Sequence, residues 1–98
     1  MSINIISHRI SELVQSQTKP FTSHDLISIL MQTHRVEWEQ LVDSYTGERL
    51  RQEQKAVQQV GRYLCRYAEQ LGVLRGRTMS SAIENLSGHN SRETTEWL

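Results

Sequence analysis

The sequence predicts a single α+β domain, mainly α, with three to four helices followed by a two-stranded hairpin. Three observations carry that expectation. Apolar residues recur at steps of three and four within 3–16, 22–32 and 49–71, the spacing of a buried helix face. Beyond Gly72 the pattern changes to strand formers in two runs, 73–79 and 93–98, with a polar stretch between them. A chain of 98 residues is long enough for one adequate core and one domain.

The first helix places Ile3, Ile6, Ile10, Leu13 and Val14 on one face, with Arg9, Glu12 and Gln15 outward. Gln17-Thr18-Lys19-Pro20 ends it, because proline disfavours helix in the residue before it and cannot continue one. The next six residues, Phe21 to Leu26, carry a helix-start signal. Thr22 is placed to cap the helix, Asp25 to reach back as its capping-box partner, and Phe21 and Leu26 to form the hydrophobic staple. Leu26, Ile27, Ile29 and Leu30 supply the core side of a short helix ending near Gln32 or Thr33.

An inserted segment follows at about 34–47. Val36, Trp38, Leu41, Val42 and Tyr45 make the apolar stripe of an extra helix or turn, and Glu37, Glu39 and Asp43 make its acidic side. Thr46-Gly47 is a turn signal. Such an element covers the core, or it forms a homodimer contact through Trp38 and Tyr45. It also competes with 22–32 as packing partner for the helix that follows.

The stretch from Arg49 to Arg77, RLRQEQKAVQQVGRYLCRYAEQLGVLRGR, organises the chain. Val57, Val60, Leu64, Tyr67, Ala68 and Leu71 form its buried face. Lys55, Gln58, Gln59, Arg62, Tyr63 and Arg66 form the other. The helix is expected to start between Glu48 and Glu53 and to end at Leu71, with Gly72 taking the left-handed conformation of a helix terminus. Glu48 and Glu53 near its start and Arg66 in its second half suit the helix dipole. In the terminal strands, Val73, Leu74, Thr78 and Met79 would pair with Thr94, Thr95, Trp97 and Leu98. Ser80 to Arg92 reads as a loop, with Ser87-Gly88-His89-Asn90 as its tight turn. Trp97 would close the core at the far end. A polar tail without a hairpin is the alternative, and it has little use for a terminal Trp-Leu.

Formal charge is zero, but it is unevenly spread. Residues 49–77 hold seven basic and two acidic side chains, a net +5, which leaves −5 for the rest. Gathered charge of this kind can present a local cationic surface, or it can simply solvate a long helix. The single cysteine, Cys65, excludes an internal disulfide. It falls at the border of the apolar face, as a half-buried inert thiol. Arg62 and Arg66 lie near enough to favour a thiolate, so a redox switch or an intermolecular bridge is the other reading.

Catalytic motifs do not emerge. His8, His24, His34 and His89 lie on different elements without metal-ligand spacing. The five glycines are scattered rather than gathered in a phosphate-cradling loop, and nothing marks a nucleophile turn. The expectation is a protein that is not an enzyme, with no metal and no cofactor. No apolar run reaches the length of a membrane span and no signal peptide is recognised, which points to the cytoplasm.

QQVGRYLCRYAEQLGVLRGR resembles the recognition helix and first wing strand of the winged helix-turn-helix superfamily, and PFTSHDLISIL resembles the second helix of many of its regulators. The resemblance implies one winged-helix domain over 1–98, with the insertion at about 34–47 and a wing at about 73–98. It implies sequence-specific binding of double-stranded DNA by a small prokaryotic-type transcriptional regulator. The helix at 51–71 would enter the major groove. Gln58 and Gln59 would read adenine edges there, and Lys55 and Arg62 would read guanine or hold phosphates. Arg66 would neutralise phosphates, and Arg75, Arg77 and Arg92 of the wing would hold the backbone or the minor groove. Gly61 costs the helix about 1 kcal/mol relative to alanine, which a close approach to the second helix or to the DNA backbone would justify. The insertion departs from the family pattern, where a few residues join helices two and three. Zero net charge and the acidic 34–48 segment suit a competing reading, a winged-helix adaptor that binds protein and not DNA.

Overall fold

The computed structural model describes residues 2–80 and 93–98. A 3₁₀ turn, Ser2–Ile5, leads into α1 (Ser7–Ser16). There follow β1 (Phe21–Thr22), α2 (Ser23–Thr33), α3 (Arg35–Asp43), α4 (Arg49–Leu71), β2 (Arg75–Ser80) and β3 (Glu93–Trp97). The chain is therefore mainly helical with a small antiparallel sheet, as the periodicities predict.

Local chemistry sets most of the boundaries. The α2 start is a complete capping box: Thr22 Oγ1 accepts from the Asp25 N–H at 3.1 Å, and the Thr22 N–H donates to Asp25 Oδ2 at 3.0 Å. Phe21 and Leu26, on either side of the cap, are both buried. Helix α4 ends at Gly72, which adopts φ 75°. The Val73 N–H donates back to the Ala68 carbonyl at 3.0 Å, closing the terminal carbonyls as left-handed caps do. Lys19 Nζ donates to the Gly72 carbonyl at 2.7 Å, placing a cation at the negative end of the helix.

The first element differs from expectation. A continuous helix from residue 3 is replaced by the 3₁₀ turn and a later α1, while Ile3, Ile6, Ile10 and Val14 still reach the core. A 3₁₀ turn preserves the inward apolar rhythm over one turn, so the sequence pattern does not separate the two.

The insertion is α3, and the core-covering reading holds. Trp38, Leu41 and Val42 are buried, and Tyr45 packs half-buried against the core. Trp38 is therefore not available for a contact between copies. Both α2 and α3 pack on α4, so neither is its sole partner.

The sheet has the order β1-β3-β2, with both pairings antiparallel. Phe21 pairs with Trp97 and Thr22 with Glu96 on one side of β3. On the other, Arg75 pairs with Trp97 and Thr78 with Thr95, so one extra residue bulges out of β2. Gly76 occupies the bulge: a Cβ there would lie 3.0 Å from the Glu96 carbonyl oxygen, tighter than most packed side chains come to a backbone oxygen. Beyond the strands, Leu74 and Leu98 exchange both backbone hydrogen bonds, at 2.9 and 2.8 Å. Trp97 is fully buried, and its Nε1–H donates to Ser23 Oγ at 2.9 Å. The hairpin expectation thus holds for its strands. The turn at 87–90 lies outside the described residues.

Among the described residues no helix is long and apolar enough to cross a membrane.

Candidate nucleic-acid interface

Helix α4 spans 23 residues and kinks near its carboxyl end at Tyr67, whose φ −110° and ψ 18° are not helical. Its inward face carries Ala56, Val57, Val60 and Leu64, all buried. The helical period therefore puts Arg51, Lys55, Gln58, Arg62 and Arg66 on the opposite face, and all five are exposed. Glu69, beyond the kink, is an exposed acid near the carboxyl end.

The sheet brings a second cationic element beside the stripe. Two buried hydrogen bonds fix it against the start of α2. One is the Trp97–Ser23 bond, and the other runs from the His24 N–H to Thr94 Oγ1 at 3.0 Å. So placed, Arg75 of β2 and Thr95 of β3 face Gln58, Gly61, Arg62, Cys65 and Arg66 of α4 across an open groove of about 740 Å³. A narrower recess of about 170 Å³ continues it toward Ser23 and His24, again along Gln58, Gly61 and Thr95. Lys55 lines a separate depression at the amino end of α4 with Arg51, Gln54 and Gln58. Gln58 is common to all three hollows.

Charge partners divide the basic residues into two groups. Arg49 is exposed but engaged by carboxylates of its own chain. Its guanidinium bonds Glu39, Asp43 Oδ1 at 3.1 Å and Glu53 Oε1 at 3.1 Å. The hydrogen bond it donates to Glu39 is the main reason its pKa lies above the ordinary arginine value, with Glu53 adding to it. Glu53 is buried, so the acid expected to serve the helix dipole instead anchors α4 to α3 through Arg49. In the second group, Arg51, Lys55, Arg62, Arg66 and Arg75 make no ion pair among the described residues. Arg77 lies 3.8 Å from Glu96 but is 76% exposed, and an exposed pair of that length interacts weakly.

Four expectations need correction. Gln59 is half-buried on the far side of the stripe, beside Ile3, Asn4 and Tyr63, and does not enter the groove with Arg75. One helical step of 100° separates it from Gln58, enough to change faces. Tyr63, assigned to the polar face, packs against the core; its long ring reaches inward from a flanking position. Cys65 is exposed and lines the groove rather than half-buried at its border. At Gly61, a Cβ would meet nothing within 4 Å. The close approach to the second helix is therefore absent, and the missing side chain deepens the groove floor instead. Arg92 lies outside the described residues.

Arg51 was part of the counted charge but not of the expected site. Its position one turn before Lys55 on the same face was the signal that could have placed it there. Thr95 had no such signal, because only the sheet brings it to α4. Among the described residues no group of three or more His, Cys, Asp or Glu is arranged to hold a metal ion. Comparison with family models, curated proteins and solved structures finds no match to this chain.

Proposed function

We propose that this protein is a winged-helix module that binds double-stranded DNA sequence-specifically, as a small prokaryotic-type transcriptional regulator. The groove where Gln58, Arg62 and Arg66 of α4 face Arg75 of β2 carries the reading. Amide and guanidinium groups on an exposed helix face suit base edges in the major groove, and unpaired cations on both walls suit the phosphates flanking it. The hairpin that leaves α4 directly and returns as the middle strand of the sheet supports the winged-helix assignment. Lys55 and Arg51 would extend the contact toward the amino end of the helix. Arg77, and Arg92 by its place in the sequence, would serve the backbone from the wing.

The acidic segment that favoured a protein adaptor is largely engaged within the molecule. Glu37 meets His34 at 3.4 Å and Arg9 at 3.8 Å, and Glu39 meets Arg35 at 3.4 Å as well as Arg49. Titrating labelled random-sequence duplex at low salt tests the proposal. Saturable binding that weakens steeply with added salt is expected. No binding at low salt would overturn it in favour of the adaptor.

A further inference from the structure

Across the stripe from the groove, on the side to which Gln59 has turned, α4 and the amino-terminal 3₁₀ turn enclose a cleft of about 460 Å³. Ile3 and Asn4 form one wall, and Gln59, Arg62, Tyr63, Arg66 and Tyr67 form the other. We propose that this cleft binds a free mononucleotide, with its base on the tyrosines and its phosphate on the arginines.

The lining separates into parts that match the parts of a nucleotide. Tyr63 and Tyr67 are half-buried, with ring centroids at 4.7 Å and planes inclined at 42°, so one ring can stack on a flat base while the other lies against its edge. Buried Ile3 adds apolar surface. Asn4 and Gln59 each carry a carboxamide, which offers a donor and an acceptor side by side and so complements the polar edge of a base. Arg66 already sits over the Tyr67 ring, its Cζ 5.6 Å from the centroid. Arg62 lies one turn earlier, and neither guanidinium has an ion pair among the described residues. Two planar forks without carboxylate partners are suited to a phosphate monoester. The volume falls in the range of small-molecule sites, about 300–1,000 Å³, and has room for one nucleotide unit. Elsewhere on α4, the groove with Arg75 has cations but no aromatic ring in its lining. Arg62 and Arg66 line both hollows. If the DNA reading also holds, nucleotide and duplex would compete for the same two guanidinium groups.

Titration of the full chain with AMP, in the absence of DNA, tests the site independently of the DNA reading. Saturable perturbation of the Tyr63 and Tyr67 ring resonances is expected, with adenosine and inorganic phosphate each binding at least tenfold more weakly. Tyr67→Leu, which keeps apolar cover, and Arg66→Gln should each weaken AMP at least tenfold. Should either variant fail to fold, the comparison of the three ligands on the wild-type protein decides. Absence of ring perturbation at millimolar AMP would overturn the proposal. So would phosphate alone matching AMP, which would reduce the cleft to an adventitious ion site. An oligo-dA strand binding the same resonances at least tenfold more tightly than AMP would reassign the cleft to single-stranded nucleic acid.

Discussion

Arg49 shows how one side chain joins two helices. It gathers Glu39 and Asp43 from α3 and buried Glu53 from α4. Because Arg49 is 41% exposed, solvent screens part of this network, and Arg49→Ala should destabilise the fold by about 1–2 kcal/mol. Chemical denaturation would measure it, and an unchanged midpoint would show the network to be energetically idle. Arg62 is a contrasting case, exposed and without such a network. Arg62→Ala is expected to weaken specific duplex binding by about 1–3 kcal/mol while leaving the melting temperature nearly unchanged. Loss of folding instead would make Arg62 a structural residue. Tyr45 sets a pH limit on stability. Burial raises its pKa above the ordinary 10.0, so the folded state holds that proton after the unfolded state has lost it. Below pH 10 both states are protonated and the shift has no effect on stability. Above it, stability should fall with rising pH until the folded pKa is passed. Tyr45→Phe should flatten this alkaline decline in pH-resolved denaturation curves; an identical decline would exclude Tyr45 as its source.

At the scale of elements, Gly61 separates stability from binding. A methyl group there meets nothing within 4 Å, so Gly61→Ala should stabilise α4 by up to about 1 kcal/mol. If the DNA backbone closes on the groove floor, the same methyl should lower duplex affinity. A rise in melting temperature with unaltered affinity would remove Gly61 from the contact surface. The capping box was fully legible at this scale, because Thr22, Asp25, Phe21 and Leu26 act within one turn of chain. The strands of the hairpin were legible too, from their β-formers and the terminal Trp-Leu. The two-residue strand β1 was not. It exists only because Phe21 and Thr22 lie beside Trp97 and Glu96, a pairing of residues at opposite ends of the sequence.

Over the whole molecule, the neutral net charge conceals a sorted surface. The α3 acids are paired within the fold, while Arg51, Lys55, Arg62, Arg66 and Arg75 remain outward on α4 and β2. With about three to five phosphate contacts, the slope of log K against log salt should be roughly −3 to −5. Charges beyond about 8–10 Å are largely screened at physiological salt, so the acidic remainder of the molecule would not cancel it. Replacing Arg75 and Arg77 together by Ala should reduce the slope by about one to two units on every sequence, with little change in site preference. A wild-type slope near zero would mark the stripe as a solvated helix face.

The amino-acid sequence by itself determined helices α2 and α4, the capping box of the first and the glycine terminus of the second, the hairpin strands and the side of α4 that is cationic. These follow from periodicity and from interactions within a few residues, which the order of side chains specifies directly. Tertiary structure alone decided which hollow each polar residue enters. It set Gln59 beside Ile3 and Asn4, packed Tyr63 against the core, and put Arg75 and Thr95 opposite Arg62. The reason is geometric. A rotation of 100° per residue makes neighbours in sequence diverge on a helix, and a groove wall contributed by β3 depends on Trp97 reaching Ser23 across the fold.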